Sequence, residues 1–162
     1  MFTGLNAYGQ SNTTEAHYKY GDEALWKFLD KKFSAEIKKN NERICLRSVT
    51  FAKFTIDTLG NIKALTFSEN NDTPPIFRNT LTSVINATNG SWLPRRINGK
   101  AVESKLFILP LIYEMEAGCS INKIPVNDGT SNSLLRLLDF GGNKETQLDC
   151  ILLKPLHVFS AN

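Results

Sequence analysis

The first regular pattern of apolar and polar positions along this chain predicts a helix. Between Gly21 and Lys39, apolar side chains recur three or four positions apart, and most of the lysines fall between them. This spacing is typical of a helix with one buried face. The apolar positions are Leu25, Phe28, Leu29, Phe33 and Ile37. A second stripe predicts a helix from about Pro75 to Thr88, because a proline is tolerated in the first helical turn and Asn89-Gly90 favours a helix end.

In three other places the period changes to two, which is the pattern of a strand. The first run is Leu46 to Asp57 and the second is Ile62 to Ser68, and Gly60 between them can adopt the positive φ of a tight turn, so the two runs predict a hairpin. The pair Asn98-Gly99 predicts another tight turn, after which Ala101 to Met115 forms the third long strand. Pro110 in that strand has no N–H, so we expect one side of the strand to be locally unpaired or to be a sheet edge.

Along the chain the predicted elements follow the order helix, strand, strand, helix, strand, which predicts an α+β domain over residues 21–117. Its two helices are expected to pack on one face of a small antiparallel three-stranded sheet. Residues 1–20 are interpreted as the remnant of a signal peptide, on the small-x-small pattern Ala7-Tyr8-Gly9, followed by a flexible lead-in. The same short pattern also occurs by chance. Residues 118–162 are expected to be an extension with a short helix ended by Gly141-Gly142 and a candidate extra strand at Leu148 to Leu153.

Composition narrows the class of function. Hydrophobic residues make up 41% and charged residues 22%, as in ordinary globular domains. The net charge of +3 is small, and the run from Lys31 to Lys39 fits a solvated helix face, so nucleic acid is not an expected partner. No stretch approaches the roughly 20 apolar residues that span a bilayer. We therefore predict no membrane span in this chain.

The titratable residues do not form a recognisable catalytic or metal-binding pattern. Cys45, Cys119 and Cys150 have no C-x-x-C spacing, and His17 and His157 lie near opposite ends of the chain, so we predict no metal, no cofactor and no enzyme activity. A hydrolase with Cys45 and a histidine is a less favoured alternative. In an oxidising compartment Cys119 and Cys150 can bridge. The alternative is three unpaired buried thiols.

Several motifs along residues 54–113 resemble the C-terminal domain family of TonB in their order and spacing. A strand ends in Phe-x-Ile-Asp and a glycine turn follows it. Trp-x-Pro and Asn-Gly-Lys then precede a strand that contains Leu-Pro. The matching segments are Phe54 to Ile62, Pro75 with its helix, Gly90 to Pro94, Asn98 to Lys100 and Leu109 to Tyr113, with the helix start Gly21 to Leu25 upstream.

The resemblance implies a periplasmic protein-interaction module involved in transport, which binds a protein or an extended peptide such as a segment of an outer-membrane receptor. In that binding mode the bound peptide, the guest, adds as a strand at a sheet edge, where the backbone N–H and C=O groups have no partner within the sheet. The candidate edge is the third long strand. Its expected partner-binding residues are Lys105, Phe107, Leu109, Leu111 and Tyr113.

Three departures from the family pattern favour a stand-alone variant over an energy transducer. Asn40-Asn41-Glu42-Arg43 stands where the family has Tyr-Pro, the sequence shows neither membrane anchor nor proline-rich spacer, and a long segment follows the last family strand. We expect Leu148 to Leu153 to pair with the edge after Lys105, in the place of a guest peptide. A structural or inhibitory periplasmic protein with its edge covered in this way is the alternative function.

Overall fold

A computed structural model describes residues 12–39, 48–68, 75–114 and 149–159, which form two helices and ten strands. The helices are α1 (Asp22–Lys39) and α2 (Pro75–Asn86). The strands are β1 (Thr13–Thr14), β2 (His17–Tyr18), β3 (Ser48–Ile56), β4 (Ile62–Phe67), β5 (Trp92–Leu93), β6 (Arg95–Ile97), β7 (Lys100–Val102), β8 (Leu106–Glu114), β9 (Cys150–Leu152) and β10 (Leu156–Phe159). The predicted α+β class is confirmed.

The predicted three-stranded antiparallel sheet is wrong, because the central sheet has five strands and is mixed. Its order is β10-β8-β3-β4, and β9 pairs with β8 beside β10. The first two predicted strands correspond to β3 and β4, but the third, predicted from Ala101 to Met115, is divided into β7, which belongs to another sheet, and β8, so the antiparallel part is β4-β3-β8. The two added strands come from the C-terminal segment and run parallel to β8. The first of them, β9, lies within the candidate extra strand at Leu148 to Leu153, whereas the four-residue β10 was not predicted because so short a strand carries only a weak period.

Both helices contribute to one core against the central sheet. The predicted helix stripe is buried at Leu25, Leu29, Phe33 and Ile37, and the predicted inner face of β3 is buried at Ala52, Phe54 and Ile56. The opposite face of the same sheet is also partly buried. Phe51 and Ile108 are 2% and 1% exposed and lie outside the helix-side core.

The residues expected to form a flexible lead-in contribute ordered structure from residue 12 onward. Strand β1 pairs with β6, and β2 pairs with β5. Tyr18 in β2 is buried against Trp92, with ring centroids 5.6 Å apart. The predicted Asn98-Gly99 turn is confirmed between β6 and β7, with φ of 51° and 81°.

Several sequence predictions fall outside the described residues. These are the Ala7-Tyr8-Gly9 pattern, the short helix of the extension, and Cys45 and Cys119. Cys150 carries a free thiol in the described part of the chain. No helix among the described residues is long and apolar enough to cross a membrane.

Candidate functional site

The outer side of β8, away from β3, is the predicted docking edge, and the C-terminal segment lies along it. Strand β9 pairs in parallel with the first part of β8, with Cys150 opposite Leu106. Strand β10 pairs in parallel with the last part, with Leu156 opposite Leu111. Strand β8 is therefore an interior strand of the sheet. Of the segment predicted at Leu148 to Leu153, the part from Cys150 to Leu153 occupies the place where an added strand would pair.

A gap separates β9 from β10, and Pro110 lies opposite it. Leu153 donates its N–H to Ile108 O at 2.9 Å, so the backbone groups of Ile108 point to the outer side of β8. Because backbone groups alternate along a strand, those of Pro110 point to the same side. Pro110 has no N–H to offer there. The expectation that one side of this strand is locally unpaired agrees with the break in the ladder at residues 153–155.

Three of the five predicted partner-binding side chains lie in the core. Phe107 and Leu109 are 1% exposed and Leu111 is fully buried, and all three face the helices. Phe107 stacks on Phe54, with ring centroids 5.5 Å apart. Tyr113 pairs with Ser48 on one side and Val158 on the other, but its side chain lies outside the described residues. A guest strand would therefore meet the backbone of this part of β8 rather than these side chains.

Lys105 differs from the other four because its side chain faces the C-terminal segment. Its Nζ lies 2.6 Å from Asp149 Oδ1 and 3.7 Å from Glu15 Oε1. The hydrogen bond to Asp149 holds the pKa of Lys105 above its usual value. Lys105 directly precedes β8 and Asp149 directly precedes β9, so this ion pair lies where the parallel pairing of β8 with β9 begins.

Arg95 extends this into a cluster of four charged residues. Arg95 Nε lies 3.3 Å from Glu15 Oε2, and both atoms are buried without a hydrogen-bond partner in the described part of the chain. They interact as close charges in a poorly aligned geometry. The alternating order Arg95, Glu15, Lys105, Asp149 joins the N-terminal segment, β6, the start of β8 and the C-terminal segment. The cluster could not be predicted from the sequence, because single charges far apart in the chain have no distinguishing pattern.

A cleft of about 350 Å³ lies beside the C-terminal segment, on the helix side of the sheet. It lies between the start of α1, the N-terminal segment and the chain from Ile151 to Lys154. Its largest lining side chains are Trp26, Trp92 and Phe107. The C-terminal segment therefore forms one wall of a mostly apolar space.

Two polar groups away from this cluster, the Asp57 carboxylate and the Trp92 indole N–H, have local structural roles. The Asp57 carboxylate accepts the N–H groups of Asn61 and Leu59 at 2.9 Å each, and these bonds, that from Asn61 first, hold its pKa below the usual value. Trp92 donates its Nε1–H to Thr88 Oγ1 at 2.9 Å inside the core. Within the described ranges, no group of three or more His, Cys, Asp or Glu residues could hold a metal ion.

Comparison with known proteins assigns no family. The chain matches no protein-family model, and neither the curated proteins nor the solved structures give a significant match. The resemblance to the TonB C-terminal family stays a prediction.

Proposed function

We propose that this chain is a protein-interaction module that accepts an extended segment as an added strand on the outer side of β8. Its own C-terminal segment is then an internal guest that competes with a partner. The periplasmic location, the role in transport and an outer-membrane receptor as partner belong to the proposal through the TonB resemblance. Energy transduction is not part of it.

The observation that carries the proposal is the parallel pairing of β9 and β10 with β8. The outer side of β8 holds two short strands that come from far along the chain. An edge that pairs with such a segment in cis offers the same backbone groups to one in trans. Three strands of the sheet do not depend on this pairing, because β8, β3 and β4 form a continuous antiparallel unit to which β9 and β10 are added.

The attachment of the C-terminal segment is modest in size. Strand β9 has three residues and β10 has four. A backbone hydrogen bond contributes about 1 kcal/mol net, so such short ladders open more easily than the whole fold. The cis segment nevertheless has an effective concentration of about the millimolar range. A free peptide is therefore expected to bind weakly until the cis segment is loosened.

Two neighbouring proline substitutions in the full chain test this proposal. Leu153→Pro removes the donor to Ile108 O, whereas Leu152→Pro changes an exposed residue whose N–H points away from β8 by strand alternation. The probe is a fluorescent peptide with the sequence of residues 149–159, with serine in place of Cys150. Fluorescence anisotropy measures its binding to each chain.

We expect L153P to bind the peptide about tenfold more tightly than the wild type, and L152P to bind like the wild type. Leu153→Ala is a further control, because it removes the side chain and keeps the N–H. Equal weak binding by all four chains, with circular dichroism showing that all are folded, would contradict the proposal.

One observation favours a second function. The outer side of β8 is covered along both halves in the structure. A stand-alone structural or inhibitory protein would keep this cover in place and use another surface. In that case none of the folded variants binds the peptide, and the loosened variant gains no affinity.

A further inference from the structure

The outer side of β8 begins with a positive charge that the C-terminal segment neutralises. Without Asp149, the charge cluster at the start of β8 contains the cations Arg95 and Lys105 and the single carboxylate of Glu15. Two positive charges and one negative charge leave one net positive charge. The Asp149 carboxylate, 2.6 Å from Lys105 Nζ, removes that excess. A guest strand that places an acidic residue here makes the same pair.

The register then determines which guest side chains face the core. Ile151 pairs with Phe107 and Leu156 pairs with Leu111, so both point to the helix side of the sheet. Leu156 is 5% exposed, and Ile151 and Leu153 pack against the core. These three positions require aliphatic side chains.

The exposed positions of the same segment do not require a particular type of side chain. Leu152 is 64% exposed, and Lys154 and His157 are exposed as well. A polar residue at any of these positions costs little burial. The side of the segment that faces away from the helices therefore carries little selectivity.

The parallel direction fixes the order of these features. The N-terminal end of the guest lies at Lys105, beside the charge cluster, and its C-terminal end lies near Glu114. A segment with the same composition in reverse order would place its acidic residue away from Lys105. Selectivity then depends on sequence order as well as on composition.

From these contacts we infer the chemistry of the partner, an inference that rests on the proposed function. The outer side of β8 selects a segment that runs parallel to it, has an acidic residue directly before its first strand residue, and has aliphatic residues two, four and seven positions after that acid. Lys105 is the residue that selects the acidic position.

The test of charge uses the full chain with Leu153→Pro, in which the internal guest is loosened, and the peptide of residues 149–159. Replacing the peptide's Asp149 with lysine is expected to weaken binding about fivefold to tenfold at low salt, since it turns an ion pair into a repulsion. The difference should shrink at high salt. In L153P that also carries Lys105→Glu, the preference should reverse.

The test of the aliphatic positions uses two further peptides and the same protein. Aspartate in place of Ile151 should abolish measurable binding, whereas aspartate in place of the exposed Leu152 should change it less than about twofold. A peptide with the reversed sequence should bind no better than a scrambled one.

The outcomes separate the two proposals. If the unmodified peptide binds but its charge variant binds equally well to both proteins, selection by Lys105 is wrong and the proposed function stands. If no peptide binds to the folded protein, both are wrong.

A second measurement does not need the loosened variant. In the otherwise unmodified full chain, Asp149→Lys or Lys105→Glu alone should speed hydrogen exchange at the Leu153 amide, and the double variant should restore the slow rate. Failure of the double variant to restore protection would overturn the role of this pair.

Discussion

The N–H of Leu153 donates to Ile108 O at 2.9 Å, and this bond ties the end of β9 to the middle of β8. Two residues farther along β8, Pro110 offers no donor on the same side. The C-terminal segment leaves the ladder here and rejoins it at Leu156. Pro155, which lies in the break itself, has no N–H either, so the backbone chemistry of these two prolines accounts for two short strands instead of one long one.

Hydrogen exchange should distinguish the two adjacent leucines of this segment. We expect the Leu153 amide to exchange slowly, because its N–H is bonded to Ile108 O. The Leu152 amide, which points away from β8 by strand alternation, should exchange faster in the same protein. Residue-resolved exchange by NMR measures both rates, and similar rates would contradict the parallel pairing.

Phe107→Ala tests whether a predicted binding residue is a core residue. Phe107 is 1% exposed and stacks on Phe54, so its truncation should lower the free energy of unfolding by about 3 to 5 kcal/mol. Leu152→Ala, at a site that is 64% exposed, should stay within about 0.5 kcal/mol of the wild type. Denaturant titration measures both. A small effect of Phe107→Ala would favour the binding role instead.

Two glycines in turns should respond differently to alanine. Both have positive φ, 86° at Gly60 and 81° at Gly99. A Cβ on Gly60 would overlap the Trp92 carbonyl oxygen, whereas one on Gly99 meets nothing within 4 Å. We expect Gly99→Ala to cost about 1 kcal/mol from strain and Gly60→Ala about 3 kcal/mol from strain and overlap. Thermal or urea unfolding measures the difference, and equal costs would be inconsistent with this packing.

The buried Trp92 indole requires a hydroxyl partner. Thr88 is 1% exposed and accepts the Trp92 Nε1–H at 2.9 Å. Thr88→Val keeps the shape but leaves the indole N–H unpaired, so we expect a loss of about 1 to 3 kcal/mol in unfolding free energy. Thr88→Ser keeps the hydroxyl and should recover most of that hydrogen-bond loss. If valine and serine cost the same, the hydrogen bond does not contribute.

Alkaline pH should loosen the C-terminal segment through Lys105. The pKa of Lys105 is raised in the folded chain above its ordinary 10.5, chiefly by the hydrogen bond to Asp149. A raised pKa means that the stabilisation is complete below pH 10.5 and is lost as the pH rises through the folded-state pKa. Proteolytic release of the C-terminal segment should therefore increase above that pH.

Lys105→Arg is the matched control for this effect, because arginine keeps its charge throughout the range. The Arg variant should show a smaller increase in proteolysis than the wild type over the same rise in pH. The charged groups around Lys105 are Asp149, Glu15 and, through Glu15, Arg95. Identical profiles for the two proteins would show that Lys105 does not hold the segment.

The parts of the fold that depend on local pattern were predictable from the sequence. The stripe of α1 and the inner face of β3 are buried as expected, because a helical or alternating period directly encodes which side faces the core. The turn at Asn98-Gly99 was also predictable, since both residues tolerate positive φ.

The remaining parts depend on contacts between distant residues. Lys105 was a predicted site residue, but nothing in its neighbourhood identifies Asp149 as its partner. Phe107, Leu109 and Leu111 were predicted to bind a partner because they alternate along an apparent edge strand. The same alternation is what packs them into the core, so period alone could not separate the two roles.

A reversible disulfide between β8 and β9 determines whether the outer side of β8 is an exchangeable strand-binding site. Leu106→Cys places a second thiol opposite Cys150 in the register of β8 and β9. With Cys45 and Cys119 changed to serine, oxidation should join the two strands and hold the internal guest in place. We expect that the oxidised protein does not bind the peptide of residues 149–159 and that reduction restores the binding of the unlocked chain. Equal binding before and after reduction, with the disulfide confirmed by mass spectrometry, would contradict it.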